Sequence, residues 1–309
     1  MNKFYWNPCY WPFWCILGIF RLVTLLPYPM LLFLGKWFGR IAYVVPHYAK
    51  TVAKINIEHC FPEYSSQEQK AFLKKNYESL GIAVFETCLA RWASDRRLKK
   101  MLCLKGVDVL EKLFSESQGV LMVVPHMLTL ELAGRLISMR FPFSAFYRPH
   151  KKPFIEFLNQ KYLKKHFKNL YPRNHIKSAI SGLREGDKIL FLPDIDAGRK
   201  HSVFVPFFGV STASVTTTPG LVKLGKALLV SVTLYRRDDG KGYVVQFSKP
   251  IENYPAGEIQ NDVSLINQEL EKAIRFKPEQ YLWQYRRFKT RPENERRFYP
   301  STKKTSKNT

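Results

Sequence analysis

The sequence predicts an α/β fold, a mostly parallel central sheet flanked by helices, preceded by a membrane-anchoring helix. Three observations predict it. From about Gly119 onward, short strand-like runs alternate with segments at helical spacing, an order that builds parallel sheets. The clearest run, Val120-Leu-Met-Val-Val124, is continuously apolar, as in a strand covered on both faces. From Phe13 to Gly35 the chain is almost wholly apolar, with Arg21 as its single charge.

The first element is that apolar stretch, residues 1–45. Its length would span a bilayer if helical throughout. Pro27 and Pro29 argue against one unbroken helix, so a kinked membrane helix and a helix followed by an interfacial segment both fit. Trp6, Tyr10, Trp11, Trp14, Tyr28 and Trp37 supply aromatics suited to headgroup depth. Lys36, Arg40 and Lys50 follow the stretch and only Lys3 precedes it, which places the bulk of the chain in the cytoplasm. A secretory signal fits poorly, because the basic start is weak, prolines are embedded and no small-residue cleavage site follows. A buried core hairpin is the remaining alternative.

Residues 46–115 read as a helical region packing on the core. Ser65-x-x-Glu68 is a capping box, and Leu73, Tyr77, Leu80 and Val84 follow at helical spacing. The core, 116–291, has expected strands at 120–124, 143–147, 188–192, 228–234 and 243–247. Helices are expected near 130–139, 153–167 and 176–184. Residues 292–309 are polar and basic and read as a disordered tail.

Lys and Arg total 49 against 25 Asp and Glu, a net charge of +24. That excess calls for a polyanionic partner: nucleic acid, anionic lipid or an acidic carrier protein. Aromatics at 15% suit a membrane interface better than nucleic acid. The five cysteines form no C-x-x-C pair, so neither a disulfide framework nor a zinc site is expected.

Chemistry concentrates in His126-Met-Leu-Thr-Leu-Glu131. A histidine at a strand's carboxyl end can take and return a proton near neutral pH. A carboxylate on its other nitrogen would fix the tautomer and stabilise the imidazolium. On one straight helix a five-residue offset separates side chains by about 140°. Glu131 can therefore meet His126 only if His126 lies in the turn after the strand and Glu131 in the first turns of the helix. Pro125 supports that break. No G-x-S-x-G elbow is visible and no cysteine stands beside a candidate base, so direct transfer is expected rather than a covalent enzyme intermediate.

Five ordered segments extend this motif. They are Asn56-Ile-Glu-His-Cys-Phe-Pro-Glu63, the His126 block, Tyr147-Arg-Pro-His150, Pro193-Asp-Ile-Asp-Ala-Gly198, and Pro278-Glu-Gln-Tyr-Leu-Trp283 through Arg286-Arg-Phe-Lys-Thr-Arg-Pro292. From about residue 10 to 300 the chain resembles the late, lauroyl-type bacterial lipid A biosynthesis acyltransferases. Those belong to the H-x4-D/E lysophospholipid acyltransferase superfamily. The resemblance implies a glycerolipid acyltransferase-like fold and an inner-membrane enzyme whose active site faces the cytoplasm. It implies transfer of an acyl chain, lauroyl by the His-Met-Leu-Thr-Leu-Glu wording, from acyl carrier protein to a hydroxyacyl chain of a Kdo-bearing lipid IVA-type acceptor. No cofactor and no metal is implied. Ile195 and Ala197 stand where Gln and Tyr are frequent in the family, which bears on substrate preference rather than the reaction.

In such an enzyme His126 would be the general base and Glu131 its orienting carboxylate. The basic stretch from Arg148 to Lys177 holds only Glu156 in opposition and fits phosphate or anionic-lipid binding, with an acidic carrier also matched. Arg148, beside a strand end, is the first candidate ligand, followed by Lys164 and Arg173. Asp194 and Asp196 follow a strand and should lie near His126, hydrogen-bonding within the site or to substrate hydroxyls, or serving the structure. Asp-x-Asp is also a metal-binding pattern of nucleotide-sugar transferases, so a metal-dependent glycosyltransferase is one alternative. Acylation of a lysophospholipid or another glycolipid is the other. The run 286–291 could grip phosphates or be structural.

Overall fold

The computed structural model describes residues 8–300; Lys3, Trp6 and the end of the basic tail lie outside them. Pro27 divides the N-terminal apolar stretch into α1 (Trp11–Val23) and α2 (Tyr28–Val44). A proline here ends one helix by lacking a donor and starts the next with its φ already fixed. Among the described residues no helix is long and apolar enough to cross a membrane. The expected anchor is thus two short helices meeting at a turn. Their outer faces leave large apolar side chains exposed, among them Ile19, Leu22, Phe33, Trp37 and Ile41, as does Leu25 in the turn between them.

Helices α3 (Tyr48–Cys60) and α4 (Ser66–Trp92) follow. The Ser65–Glu68 capping box forms as expected and starts α4. Helix α2 lies against α4 at very short range. A Cβ on Gly39 would sit 2.0 Å from the Tyr77 carbonyl oxygen, and one on Gly81 would sit 2.2 Å from that of Gly35. The expected helical region 46–115 also contains α5 (Asp95–Lys99), β1 (Leu102–Lys105) and α6 (Val107–Ser115). Arg97 of α5 donates to the carbonyls of Thr24 and Leu26, tying the α1–α2 turn to the body. Strand β1 joins the central sheet, so the region is not purely helical. Its four residues are too short to stand out from helical neighbours by periodicity.

The core continues with β2 (Val120–Val123), α7 (Leu130–Ser138), β3 (Ser144–Tyr147), α8 (Pro153–His166), β4 (Leu170–Pro172), α9 (Ile176–Arg184) and β5 (Lys188–Phe191). It then forms the β6 (Ser202–Phe207) and β7 (Val210–Val215) hairpin, α10 (Thr217–Gly225), β8 (Leu228–Arg236), β9 (Tyr243–Phe247) and α11 (Ile259–Arg275). The seven-stranded sheet runs β1-β9-β8-β2-β5-β3-β4. Strands β8, β2, β5, β3 and β4 are mutually parallel, while β9 runs antiparallel to β8. Every residue of β2 is buried, as a continuously apolar central strand requires. The carboxyl ends of five parallel strands therefore share one edge of the sheet.

After α11 the chain returns along α4, pinned by two buried asparagines. The Asn56 side-chain amide donates to the carbonyls of Trp283 and Tyr285, at 2.7 and 2.8 Å. That of Asn76 donates to Glu279 and Tyr281, both at 2.9 Å, and its oxygen accepts from Gln284. Tyr299 is buried and its hydroxyl donates to Asn56. The tail expected from residue 292 is thus anchored at Phe298 and Tyr299, whose rings pack on the core, while residues 293–297 stay exposed.

Two stability outcomes follow from these contacts. Gly39→Ala should cost about 1–3 kcal/mol, because backbone rather than a movable side chain meets the new methyl. Asn76→Ala leaves two carbonyls and an amide unpaired and should cost about 2–4 kcal/mol. Both are read as lowered thermal midpoints, and unchanged midpoints would show that α2 and the 279–285 segment are not held this way.

Candidate active site

Strand β2 ends against Pro125, which has no N–H to extend the ladder. The backbone then turns sharply, with Met127 N–H donating to the Pro125 carbonyl at 2.7 Å. His126 occupies this turn and Glu131 the first turn of α7, the arrangement that a contact between the two would need. The returning C-terminal segment clamps the turn from outside. Leu282 N–H donates to the His126 carbonyl at 3.0 Å, and Leu128 N–H to that of Gln280 at 2.7 Å. The Gln280 side chain in turn pairs with both backbone groups of Arg236 at the end of β8.

The imidazole is held by Asp194, from the end of neighbouring β5. Its Oδ1 lies 2.6 Å from His126 Nδ1, and its Oδ2 accepts the His126 backbone N–H at 2.8 Å. Tyr281 donates its hydroxyl to the same Oδ2 at 3.0 Å. The Asp194 side chain is fully buried, whereas that of His126 is 34% exposed. An ionised Asp194 therefore fixes the proton on Nδ1 and leaves the Nε2 lone pair as the open position.

Electrostatics support that assignment. Burial opposes a charged imidazolium, yet the charge and hydrogen bond of Asp194 outweigh it and raise the His126 pKa above its ordinary value. Burial likewise pushes the Asp194 carboxyl upward, but His126 and then the Arg287 guanidinium outweigh it and hold the group below the usual carboxylate range.

Glu131 does not fill the orienting role expected of it in this structure. Its carboxylate accepts from Thr87 at 3.1 Å and pairs with Arg91 at 3.0 Å, both on α4. Arg91 also donates to Asn159 of α8 and lies over the Tyr162 ring. The physical reason is the register of α7: its first turn presents residue 131 to α4, while the parallel pairing of β2 with β5 brings Asp194 to the ring.

Asp196, expected near His126 either as a ligand within the site or in a structural role, is turned to the structure. Its carboxylate accepts from Gly198 N–H at 3.0 Å and from the backbone and hydroxyl of Thr290 at 2.6 and 2.8 Å. The run 286–291 is also largely internal. Arg287 is buried and donates to the Ala213 carbonyl and the Ser214 hydroxyl, and buried Arg291 donates to the Ser211 carbonyl. Among the described residues no three His, Cys, Asp or Glu side chains gather as a metal site.

The three basic candidates stay on the surface. Arg148 follows β3 and Arg173 follows β4, on the sheet edge that also carries His126. Their two strand ends are joined by Arg173 N–H donating to the Tyr147 carbonyl at 3.0 Å. Lys164 is exposed on α8. Glu156, the stretch's one acid, is occupied by the Tyr147 hydroxyl, the His150 N–H and Gln160. Sequence reasoning gave Tyr281, Arg287, Thr87 and Arg91 no place in this site. Tyr281 and Arg287 fall inside quoted motifs, but only the fold shows that they reach Asp194 or its loop. Thr87 and Arg91 lie mid-helix without any local signal.

Comparison with known proteins places the chain in a family. Residues 2–290 match the family of bacterial lipid A biosynthesis acyltransferases. The chain is 37% identical over 294 residues to a lipid A biosynthesis palmitoleoyltransferase of Escherichia coli, covering 95% of this chain and 96% of that protein. It is equally 37% identical over 291 residues to a lipid A biosynthesis lauroyltransferase of the same organism, at 93% and 94% coverage. A lipid A biosynthesis acyltransferase of Haemophilus influenzae is 34% identical over 293 residues, covering 93% of each chain. The chain is an acyltransferase belonging to the bacterial lipid A biosynthesis acyltransferase family.

Proposed function

We propose that this acyltransferase works late in lipid A biosynthesis at the cytoplasmic face of the bacterial inner membrane. It moves an acyl chain from acyl carrier protein to a hydroxyacyl chain of a Kdo-bearing lipid IVA-type acceptor. The observation that carries the reading is His126, clamped through Nδ1 by buried Asp194 with Nε2 left open at the sheet edge. Nε2 removes the acceptor hydroxyl proton as its oxygen attacks the thioester carbonyl carbon. The tetrahedral oxyanion collapses, the C–S bond breaks, and the imidazolium returns the proton to the departing carrier thiolate. No acyl-enzyme forms.

Substrate charge supports the rest. Arg148 and Arg173, at adjacent strand ends with no ion pair among the described residues, suit phosphates of the acceptor. The wider basic stretch suits an acidic carrier. The exposed apolar faces of α1 and α2 suit the inner membrane as an interfacial mooring. Glu131 acts as a positioning residue, holding α7 to α4 through Arg91. Lauroyl is the first donor to test, and equal identity to a palmitoleoyl and a lauroyl enzyme favours palmitoleoyl as the second. Mass spectrometry of product from the purified protein, Kdo-lipid IVA and carrier-bound lauroyl, palmitoleoyl or myristoyl chains tests both. Acylation of a lysophospholipid alone would overturn the reading, as would manganese-dependent sugar transfer.

His126→Ala should lower turnover by roughly 10²-fold or more. The base must be neutral to act, and Asp194 raises its pKa, so kcat/KM should fall as pH drops through that raised value. Asp194→Asn removes the charge, so the acid limb should move to lower pH while the plateau drops. An unshifted limb would show that Asp194 does not set the imidazole. Glu131→Ala and Arg91→Ala should each depress activity, and the double variant should fall no further than either alone. Full additivity would separate the two residues.

A further inference from the structure

A polar cavity of about 500 Å³ opens between α2, α4, the β8–β9 turn and the 277–280 segment. Its walls include Leu32 and Lys36 of α2, Lys75 and Ile82 of α4, Arg237 beyond β8, and Lys277. At its buried back the cavity reaches Arg236 and Gln280, which hold the His126 turn from their other side. The acids at its rim are mostly spoken for: Glu78 pairs with Arg40 at 2.6 Å, and Asp238 pairs with Lys277. Arg237 pairs with Asp239. Lys36 and Lys75 are exposed and make no ion pair among the described residues, with Glu279 as the one acid left at the wall.

The position of Lys36 on its helix matters. Leu31, Gly35 and Gly39 form the buried stripe of α2, against α4. Leu32 and Lys36 are each one residue beyond that stripe, turned from it by about 100°. Phe33 and Trp37, one residue further on, are 61% and 52% exposed. The cavity therefore opens along the cationic edge of the apolar face, where a helix lying in a bilayer interface meets headgroups.

We propose that this cavity is a binding site for an anionic phospholipid. The phosphodiester sits between Lys36 and Lys75, and the acyl chains run along Leu32 and the exposed face of α2. The site rests on the interfacial mooring proposed above. It would set the depth and tilt of α2, because charge at the headgroup and apolar contact at the chains both need to be satisfied at once.

Native mass spectrometry of the detergent-purified full chain, titrated with phosphatidylglycerol or phosphatidylcholine, tests the site. One phosphatidylglycerol should bind in preference to phosphatidylcholine. Lys36→Ala/Lys75→Ala should weaken it roughly 30-fold, from about 1 kcal/mol for each lysine near a headgroup. Lys36→Arg/Lys75→Arg should retain it, and Leu32→Trp should expel it by filling the cavity. Inorganic phosphate should not displace the lipid. Equal binding by the double-alanine variant, no preference over phosphatidylcholine, or displacement by phosphate would each overturn the proposal. Flotation with neutral vesicles separates the two readings. Loss of flotation by the unaltered protein removes the mooring and this site together. Flotation without selective phosphatidylglycerol binding removes this site alone.

Discussion

The Asp194–His126 contact constrains more of this molecule than any other single interaction. A buried carboxylate is costly unless its oxygens are satisfied, and here three donors converge on it. Two of those donors belong to His126 itself, one on the ring and one on the backbone. Ring orientation and loop position are therefore set by the same group. The third donor, Tyr281, comes from a segment more than eighty residues downstream in sequence. That is why strand order, the C-terminal return and the reactive nitrogen form one system.

Around this centre the fold supplies rigidity from several directions. Parallel pairing of β2 with β5 brings the two strand ends together at a fixed register. Asn56 and Asn76 hold the 279–285 segment, which closes on His126 from outside. Arg287 secures the β7 side of the Asp194 loop and lends that aspartate positive potential. A buried pair of Glu86 with Arg236, joined by the Tyr243 hydroxyl at 2.6 Å, ties α4 to the sheet next door. Each of these is a polar group buried with partners, so losing one leaves others uncompensated.

The N-terminal helices follow a different logic. Close glycine packing fastens α2 to α4, while the opposite face presents aromatic and aliphatic side chains to the outside. An interface of that shape is rigid toward the enzyme body and apolar outward. It gives an acyltransferase whose family acts on lipid A a fixed platform beside the sheet edge that carries His126.

Much of this was legible in the chain. The expected strands at 120–124, 143–147 and 188–192 differ from β2, β3 and β5 by one residue at an end, and the Ser65–Glu68 cap forms as read. Local periodicity and capping chemistry decide such elements, and both are written in neighbouring residues. The short β1 and β4 and the β6–β7 hairpin were not legible, since their pairing partners lie far along the chain or in no recognisable pattern. The sequence by itself placed His126 just past the end of a strand and Glu131 within the helix expected from about residue 130. Only the tertiary structure decided which carboxylate meets the imidazole. Five residues of separation cannot say where a side chain points, whereas sheet order places Asp194, sixty-eight residues away, within 2.6 Å of Nδ1.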